Sequence, residues 1–204
     1  MISPRSIAVR WGAIACIGLM QAACVSDQQK VNAISAVNEG FRVEYERLLA
    51  EKGTRVYRQS RADAFVAMRV TLAGLGMRTE QQDVTLGHLA AVAVAPFPLT
   101  REEWRSASKA DLPLLQGLIE PEVGIAARFV KFEPQGLEVV INATFVDGAA
   151  GTEVSLTVRL REIAPPKSGW PRREYVSPHV LNVGLDKIFG AYERELQAGP
   201  PPPP

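Results

Sequence analysis

The sequence predicts an α+β fold, with an antiparallel sheet of about five to six strands, helices packed on one face and an additional N-terminal helix. Two patterns carry this prediction. Apolar and polar residues alternate through 137–146 and 153–161, which is typical of half-buried strands. Elsewhere, apolar residues recur at helical spacing after Ser or Thr residues that favour helix N-caps.

Residues 1–23 have the three-part architecture of a secretion signal. Arg5 and Arg10 give a positive start, an uncharged and mostly apolar run extends from Trp11 to Met20, and small residues follow. The apolar run is about half the length of the roughly 20 residues that a membrane-spanning helix needs. We therefore expect a signal peptide rather than a permanent span.

The end of this leader resembles a bacterial lipobox, with Ala22 and Ala23 before Cys24. The resemblance implies cleavage between Ala23 and Cys24 and attachment of palmitate-type acyl chains to Cys24, which would hold the protein at the membrane. Gln21 departs from the motif, because that position is usually aliphatic. An ordinary secretion signal and an uncleaved anchor are the alternatives. Val25 stands where an inner-membrane retention signal often has Asp, which favours the periplasmic face of the outer membrane.

Residues 24–53 are predicted to be a tether and an N-terminal helix. Ser26 and Gln29 have the spacing of a capping box, and the helix is expected over 28–51. Its apolar residues recur at helical spacing: Val31, Ile34, Phe41, Tyr45 and Leu48. This helix could serve as a stalk or bind a partner, but we expect it to pack on its own domain.

Residues 54–198 are predicted to form the α+β domain, followed by a proline-rich tail at 199–204. The expected elements are a strand at 55–58, a helix after Ser60 that ends at Gly74, strands at 77–84 and 88–95, and a helix after Thr100 that is interrupted or bent near Pro113. Strands at 123–132, 137–146 and 153–161 then form a meander, and a helix capped by Ser177 completes the domain.

Composition excludes several classes of function. The 23 basic residues include two in the leader, which leaves 21 against 22 acidic residues. A near-neutral body lacks the positive field that nucleic-acid binding needs, so no nucleic-acid partner is expected. Cys16 and Cys24 are the only cysteines, and neither His88 nor His179 has a second ligand at metal-binding spacing. We predict no metal, no cofactor and no catalytic residues.

One basic cluster suggests a surface contact. Trp170, Arg172 and Arg173 lie close together in a proline-containing loop, with Lys167 nearby. Trp and Arg are enriched at protein interfaces and Trp at membrane surfaces, so these residues are candidates for either contact. Alternatively, Trp170 covers the end of the sheet and the two arginines are solvated.

The order of elements over about 140 residues resembles the helix-grip-like domain of BamC, an accessory lipoprotein of the outer-membrane barrel assembly machinery. The resemblance is topological and implies a binding role. The leading hypothesis is a non-enzymatic scaffold or accessory subunit of an envelope complex, with an envelope protein as its partner. The alternative is a carrier that holds a lipid or other apolar ligand in a cavity lined by Phe145, Ile141 and Phe189.

Overall fold

The structure is a computed structural model, and it describes residues 26–164 and 174–198. Four helices, six strands and one 3₁₀ segment occur within these residues. In chain order they are α1 (Asp27–Lys52), β1 (Thr54–Tyr57), α2 (Arg61–Gly74), β2 (Arg78–Asp83), β3 (His88–Val94), α3 (Arg101–Val123), the 3₁₀ segment (Gly124–Phe129), β4 (Leu137–Gly148), β5 (Gly151–Glu162), β6 (Glu174–Tyr175) and α4 (Pro178–Ala198).

The strands form one antiparallel sheet in the order β1-β5-β4-β3-β2, and β6 also pairs with β5. The two alternating segments are the central pair, in which Ile141 lies opposite Val158 and Phe145 opposite Val154. Because side chains alternate between faces, this register places the apolar residues of both strands on the same side. The predicted α+β class and the antiparallel sheet are confirmed.

The main hydrophobic core lies between this apolar face and the helices. Ile141, Leu156, Phe189 and Tyr192 are at most 1% exposed, and α2 and α4 contribute their apolar stripes to the same core. Aromatic rings interlock there: Phe65 of α2 lies 5.3 Å from Phe145 between ring centroids. Helices on one face of the sheet were expected, and this is the arrangement observed.

Helix α1 packs on the body. The side-chain oxygen of Ser26 accepts from the Gln29 backbone N–H, and the Gln29 side chain accepts from the Ser26 backbone N–H. These two hydrogen bonds form the capping box predicted at this position. Tyr45 is buried in the main core and donates to the Val158 carbonyl at 3.3 Å. Further along, Gly40 permits close contact with α3, since a β-carbon there would lie 2.5 Å from the Leu118 methyl carbons.

One residue joins α1 to the sheet. The Gly53 N–H donates to the Leu49 carbonyl at 2.8 Å, which ends the helix. The Gly53 carbonyl accepts from the Leu156 N–H at 2.7 Å, which begins the hydrogen bonding between β1 and β5. No loop therefore separates the two elements.

Helix α3 continues through Pro113, which corrects the predicted interruption. Proline removes a helix hydrogen bond and costs about 3 kcal/mol or more in a helix interior. Here the flanking residues are held by tertiary contacts, since Asp111 is buried on one side and Leu115 and Ile119 are buried on the other. Their packing offsets the local preference to break the helix.

The predicted strand at 123–132 is wrong. Val123 is the last residue of α3, Gly124 ends the helix with a φ of 59°, and the 3₁₀ segment follows. Glycine adopts a positive φ easily, and this conformation of Gly124 turns the chain back along α3. The sixth strand is instead β6, which pairs with β5 at Leu160 and Arg161.

Candidate functional site

The residues predicted from sequence to carry function lie outside the described part of the chain. Ala23 and Cys24 precede the first described residue, Ser26, and Trp170, Arg172 and Arg173 fall between residues 164 and 174. The proline-rich tail at 199–204 also lies outside it. The structure does describe where each of the first two segments joins the fold.

The segment with Cys24 joins at the N-terminal end of α1, which is tied to the C-terminal end of α3. The Gln29 side chain donates to the Glu122 carbonyl at 3.0 Å, and the Asn32 amide donates to the Glu122 carboxylate at 3.2 Å. Between the two helices, Val37, Phe41 and Ile119 are buried in a second, smaller core. The two helices therefore run antiparallel, with the start of α1 beside the end of α3.

From this end the 3₁₀ segment runs back along α3, where the Gln116 amide donates to the carbonyls of Arg128 and Val130 at 3.3 Å. Ala127 is buried against the smaller core, whereas Ile125 is 70% exposed and Phe129 is 71% exposed. The 3₁₀ segment was not predicted, because a run of apolar residues around Arg128 has the composition of a strand.

The basic segment with Trp170 begins and ends at one edge of the sheet. Arg159 of β5 forms an ion pair with Glu174 of β6 at 2.9 Å, and Tyr175 donates to Glu162 at 2.6 Å. The Asn38 side chain of α1 donates to the Glu174 carbonyl at 2.9 Å. Both ends of the segment are thus held by polar contacts.

A buried polar cluster joins α3 to the start of α4. The carboxylate of Asp111 is 3% exposed and accepts hydrogen bonds from the Ser177 hydroxyl at 2.5 Å and the His179 N–H at 3.2 Å. His179 Nδ1 lies 2.7 Å from the other carboxylate oxygen. A nucleophile–base–carboxylate triad needs the histidine between serine and acid, but here the acid lies between them. The arrangement caps a helix.

An open groove of about 790 Å³ lies beside the end of α2. Its apolar lining includes Leu75, Val94 and Phe97, and the side chains of Arg101 and Lys187 add positive charge. Phe97 is 52% exposed and stands between two cis peptide bonds, Ala95–Pro96 and Phe97–Pro98. The sequence pattern predicted a strand that ends at residue 95, and it did not indicate the groove.

The Lys187 ammonium is held at the groove by an acidic neighbour. Its Nζ lies 2.6 Å from Glu103 Oε2, and this hydrogen bond holds the pKa of Glu103 below its ordinary value. The backbone N–H of Thr100 adds to the effect, because Glu103 completes the capping box of α3. Arg101, at the start of the same helix, is exposed.

The three residues proposed to line a ligand cavity are packed instead. Phe145, Ile141 and Phe189 are at most 1% exposed and belong to the main core. A neighbouring space between the sheet and α4, lined in part by Val158 and Leu181, measures about 10 Å³. That volume is close to the minimum that a single water molecule needs.

No group of three or more His, Cys, Asp or Glu side chains in 26–164 and 174–198 could hold a metal ion. None of the helices in those ranges combines the length and apolar character needed to cross a bilayer. No protein-family model, curated protein or solved structure matches the chain.

Proposed function

We propose that the protein is a lipoprotein of the bacterial envelope, anchored through Cys24 at the periplasmic face of the outer membrane, and that it acts as a non-enzymatic scaffold or accessory subunit of an envelope complex. The observation that carries the proposal is the leader, in which a positive start and a short apolar run precede Ala23 and Cys24. Acyl chains on Cys24 would make membrane attachment effectively permanent, since each buried methylene contributes about 0.8 kcal/mol.

The body supports a binding role rather than a carrier role. The packed core around Phe145 and Phe189 offers no room for an apolar ligand of useful size. By contrast, the groove beside Phe97 combines exposed apolar surface with the positive charge of Arg101. Such a surface suits a protein segment with apolar and acidic side chains. The segment with Trp170 offers a second contact for the same kind of partner.

The anchor is tested by labelling cells with a radioactive or alkyne-bearing fatty acid. The wild-type chain and the Cys16→Ser control are expected to incorporate label and to sediment with membranes. Cys24→Ser is expected to lose the label and leave the membrane fraction. Acylation that persists in Cys24→Ser would contradict the assignment of the anchor.

The binding role is tested by crosslinking and co-purification from native membranes. Recovery of a defined envelope protein is expected, and the double variant Phe97→Ser, Arg101→Glu should reduce that recovery. Leu86→Ser is the matched control, because Leu86 is 77% exposed but does not line the groove. Recovery of monomer alone would overturn the accessory role, and a tightly bound lipid in extracts of the pure protein would favour the carrier.

A further inference from the structure

We propose that the outward face of α2, together with the adjoining groove, binds one helix of a protein partner, and that this helix carries acidic side chains beside its apolar face. The inference rests on the proposed accessory role. It adds the extent of the contact surface, the secondary structure of the bound segment and the sign of its charge.

The first observation is that α2 is apolar on its exposed side as well as on its buried side. Phe65 and Met68 lie in the main core, as expected for a helix packed on a sheet. Five of the seven exposed residues of this helix are nevertheless Ala, Val or Gly, and only Asp63 and Arg69 are charged. A helix that is apolar all round is typically buried. The exposed side of α2 therefore has the composition of a contact surface.

Helix α1 shows the pattern of a solvated helix face in the same protein. Arg42 and Arg47 each form ion pairs with two glutamates of that helix, three or four residues away. Such pairs are typical of helix surfaces in contact with water. On α2, Arg69 has no ion pair with any described residue. The two exposed faces are thus chemically different.

The exposed apolar residues of α2 form a continuous ridge. Its members are spaced four residues apart, which places them in one row along the helix: Ala62, Val66, Val70 and Gly74. Val66 is 47% exposed and Val70 is 43% exposed, with a small residue at each end of the row. Ridges at this spacing pack into the grooves between the side-chain rows of a neighbouring helix. The ridge therefore has the form that one helix presents to another.

The ridge leads directly into the groove. Gly74, its last residue, lines the groove with Leu75 and Phe97. The Phe97 ring lies close to Gly76, where a β-carbon would be 3.2 Å from it. The ridge is about 18 Å long, which corresponds to about three turns of a bound helix. An apolar side chain at the end of such a helix would enter the groove beside Phe97.

Charge indicates the chemistry of the bound helix. Arg69 on α2 and Arg101 beside the groove are exposed and form no ion pair with a described residue. Asp63, the acid on the exposed side of α2, accepts from the Ser60 hydroxyl at 2.6 Å. An arginine without a partner at the border of an apolar surface attracts a carboxylate. The bound helix should therefore carry Asp or Glu beside its apolar residues.

A second copy of this chain lacks that complementary charge. Contact between two copies through this surface would place Arg69 and Arg101 on both sides of it and add no free carboxylate. A symmetric contact needs a patch that is complementary to itself, and this patch carries unpaired charge of one sign. A different protein is therefore the better occupant.

The surface also lies far from the anchor. Gly40 is about 20 Å along α1 from Asp27, and it contacts Leu118 of α3. Arg101 is a further distance of about 25 Å along α3 from Leu118. Because the two helices run antiparallel, both lengths lead away from the start of α1. The surface is thus at the opposite end of the molecule from the anchored bilayer, which favours a protein over a lipid surface.

Site-specific photocrosslinking tests the inference on the full chain in cells. Benzoylphenylalanine is introduced at Val66, Val70 or Phe97, and at Leu86 as the control, which is 77% exposed but does not line the groove. Crosslinked peptides are mapped by mass spectrometry. The first three probes should attach to one segment of one protein, and the control probe should not. Attachment points from 66 and 70 should lie three or four residues apart in a segment of net negative charge.

Charge reversal tests the acidic character of the bound helix. With the probe at Val66, Arg69→Glu should reduce the crosslink yield at least about fivefold, because carboxylates on both sides repel each other. Arg69→Lys should retain most of the yield. Arg128→Glu is the matched control, since Arg128 is 72% exposed and lies outside the surface. Equal yields for the two Glu variants would contradict the acidic helix, as would attachment to a basic segment.

Failure of this inference can be distinguished from failure of the proposed function. If an envelope protein co-purifies but Val66 and Val70 give no crosslink to it, the helix on α2 is overturned and the accessory role stands. Recovery of monomer alone, without crosslinks from any position, would overturn both. Crosslinks from position 66 mainly to lipid, to a second copy or to residues 199–204 of the same chain would identify another occupant and also overturn the inference.

Discussion

The carboxylate of Asp111 lies 2.5 Å from the hydroxyl of Ser177 and so connects the middle of α3 to the first turn of α4. The first backbone N–H groups of a helix have no partner within the helix, and a carboxylate near them is also favoured by the helix dipole. Asp111 satisfies the N–H of His179 in this way, across 68 residues of sequence. One buried acid therefore fixes the relative position of two helices.

Removing this acid should destabilise the protein. Asp111→Ala leaves the buried Ser177 hydroxyl and the His179 N–H without their acceptor, and we expect a loss of about 2–3 kcal/mol in the free energy of unfolding. Urea denaturation followed by circular dichroism measures it. Asp186→Ala is the control, because Asp186 is exposed and its pair with Lys52 should contribute at most about 1 kcal/mol. Similar midpoints for both variants would refute the capping role.

Two neighbours on β4 should respond very differently to truncation. Phe145→Ala removes a ring that is 1% exposed and packs on Phe65, so a loss of about 3–5 kcal/mol in unfolding free energy is expected. Val146→Ala truncates a side chain that is 57% exposed on the opposite face, so the unfolding free energy should change by no more than about 0.5 kcal/mol. Equal effects in denaturation would show that the register is misassigned.

Replacing glycine with alanine should change the free energy of unfolding in opposite directions at two positions. Gly151 has a φ of 131°, and a β-carbon there would overlap the Tyr57 carbonyl oxygen. Gly151→Ala should therefore cost more than about 1 kcal/mol of stability. Gly117 lies on an exposed face of α3 with nothing within 4 Å, so Gly117→Ala should stabilise by about 0.5–1 kcal/mol. Thermal melts would decide, and stabilisation by Gly151→Ala would contradict the close approach of β1.

Alkaline pH should weaken the fold in part through Tyr57. Burial, followed by the negative charge of Glu193, raises the pKa of Tyr57 to about 12. Because the folded value exceeds the unfolded one, the contribution to stability is complete below about pH 10 and is lost as pH rises toward 12. Burial also raises the pKa of Tyr192 and of Tyr45.

The test compares Tyr57→Phe with the wild type across that range. The variant cannot ionise at this position, so its free energy of unfolding should fall less steeply between pH 10 and about 12. Absorbance of the phenolate band should show one fewer group that titrates late in the folded protein. Parallel curves for the two proteins would contradict the raised pKa.

On the proposed lipoprotein assignment, processing of the leader should improve when its one departure from the lipobox is replaced. Gln21 stands where the lipobox usually has an aliphatic residue, so Gln21→Leu should increase the rate at which precursor becomes mature lipoprotein. Pulse labelling and gel separation of the two forms measure that rate. An unchanged rate would indicate that the departure at Gln21 does not limit processing.

Local patterns predicted most of the elements. The capping box at Ser26 and the helix start after Thr100 were correct, because helix caps depend on residues only three apart in sequence. The strands around Ile141 and Val158 were correct because period-two alternation requires only one buried face. These features are decided within a few residues of chain, where sequence reasoning is strongest.

Features that depend on distant contacts were missed. Continuation of α3 through Pro113 depends on packing against α1, and the cap on α4 depends on Asp111, which lies 66 residues before Ser177. The 3₁₀ segment has the composition of a strand and forms none, because the chain turns at Gly124 toward the smaller core. Neither periodicity nor propensity reports which distant surface a segment will meet.

The bonds at Gly53 give the proposed anchor a mechanical consequence. Force applied to the N-terminus is transmitted along α1, which is about 39 Å long at a rise of 1.5 Å per residue. It reaches the Gly53–Leu156 bond without stretching any linker. Movement of the acylated N-terminus in the membrane would therefore reorient the whole body rather than extend a linker. Force that a bound partner exerts on the body would likewise be transmitted to the membrane.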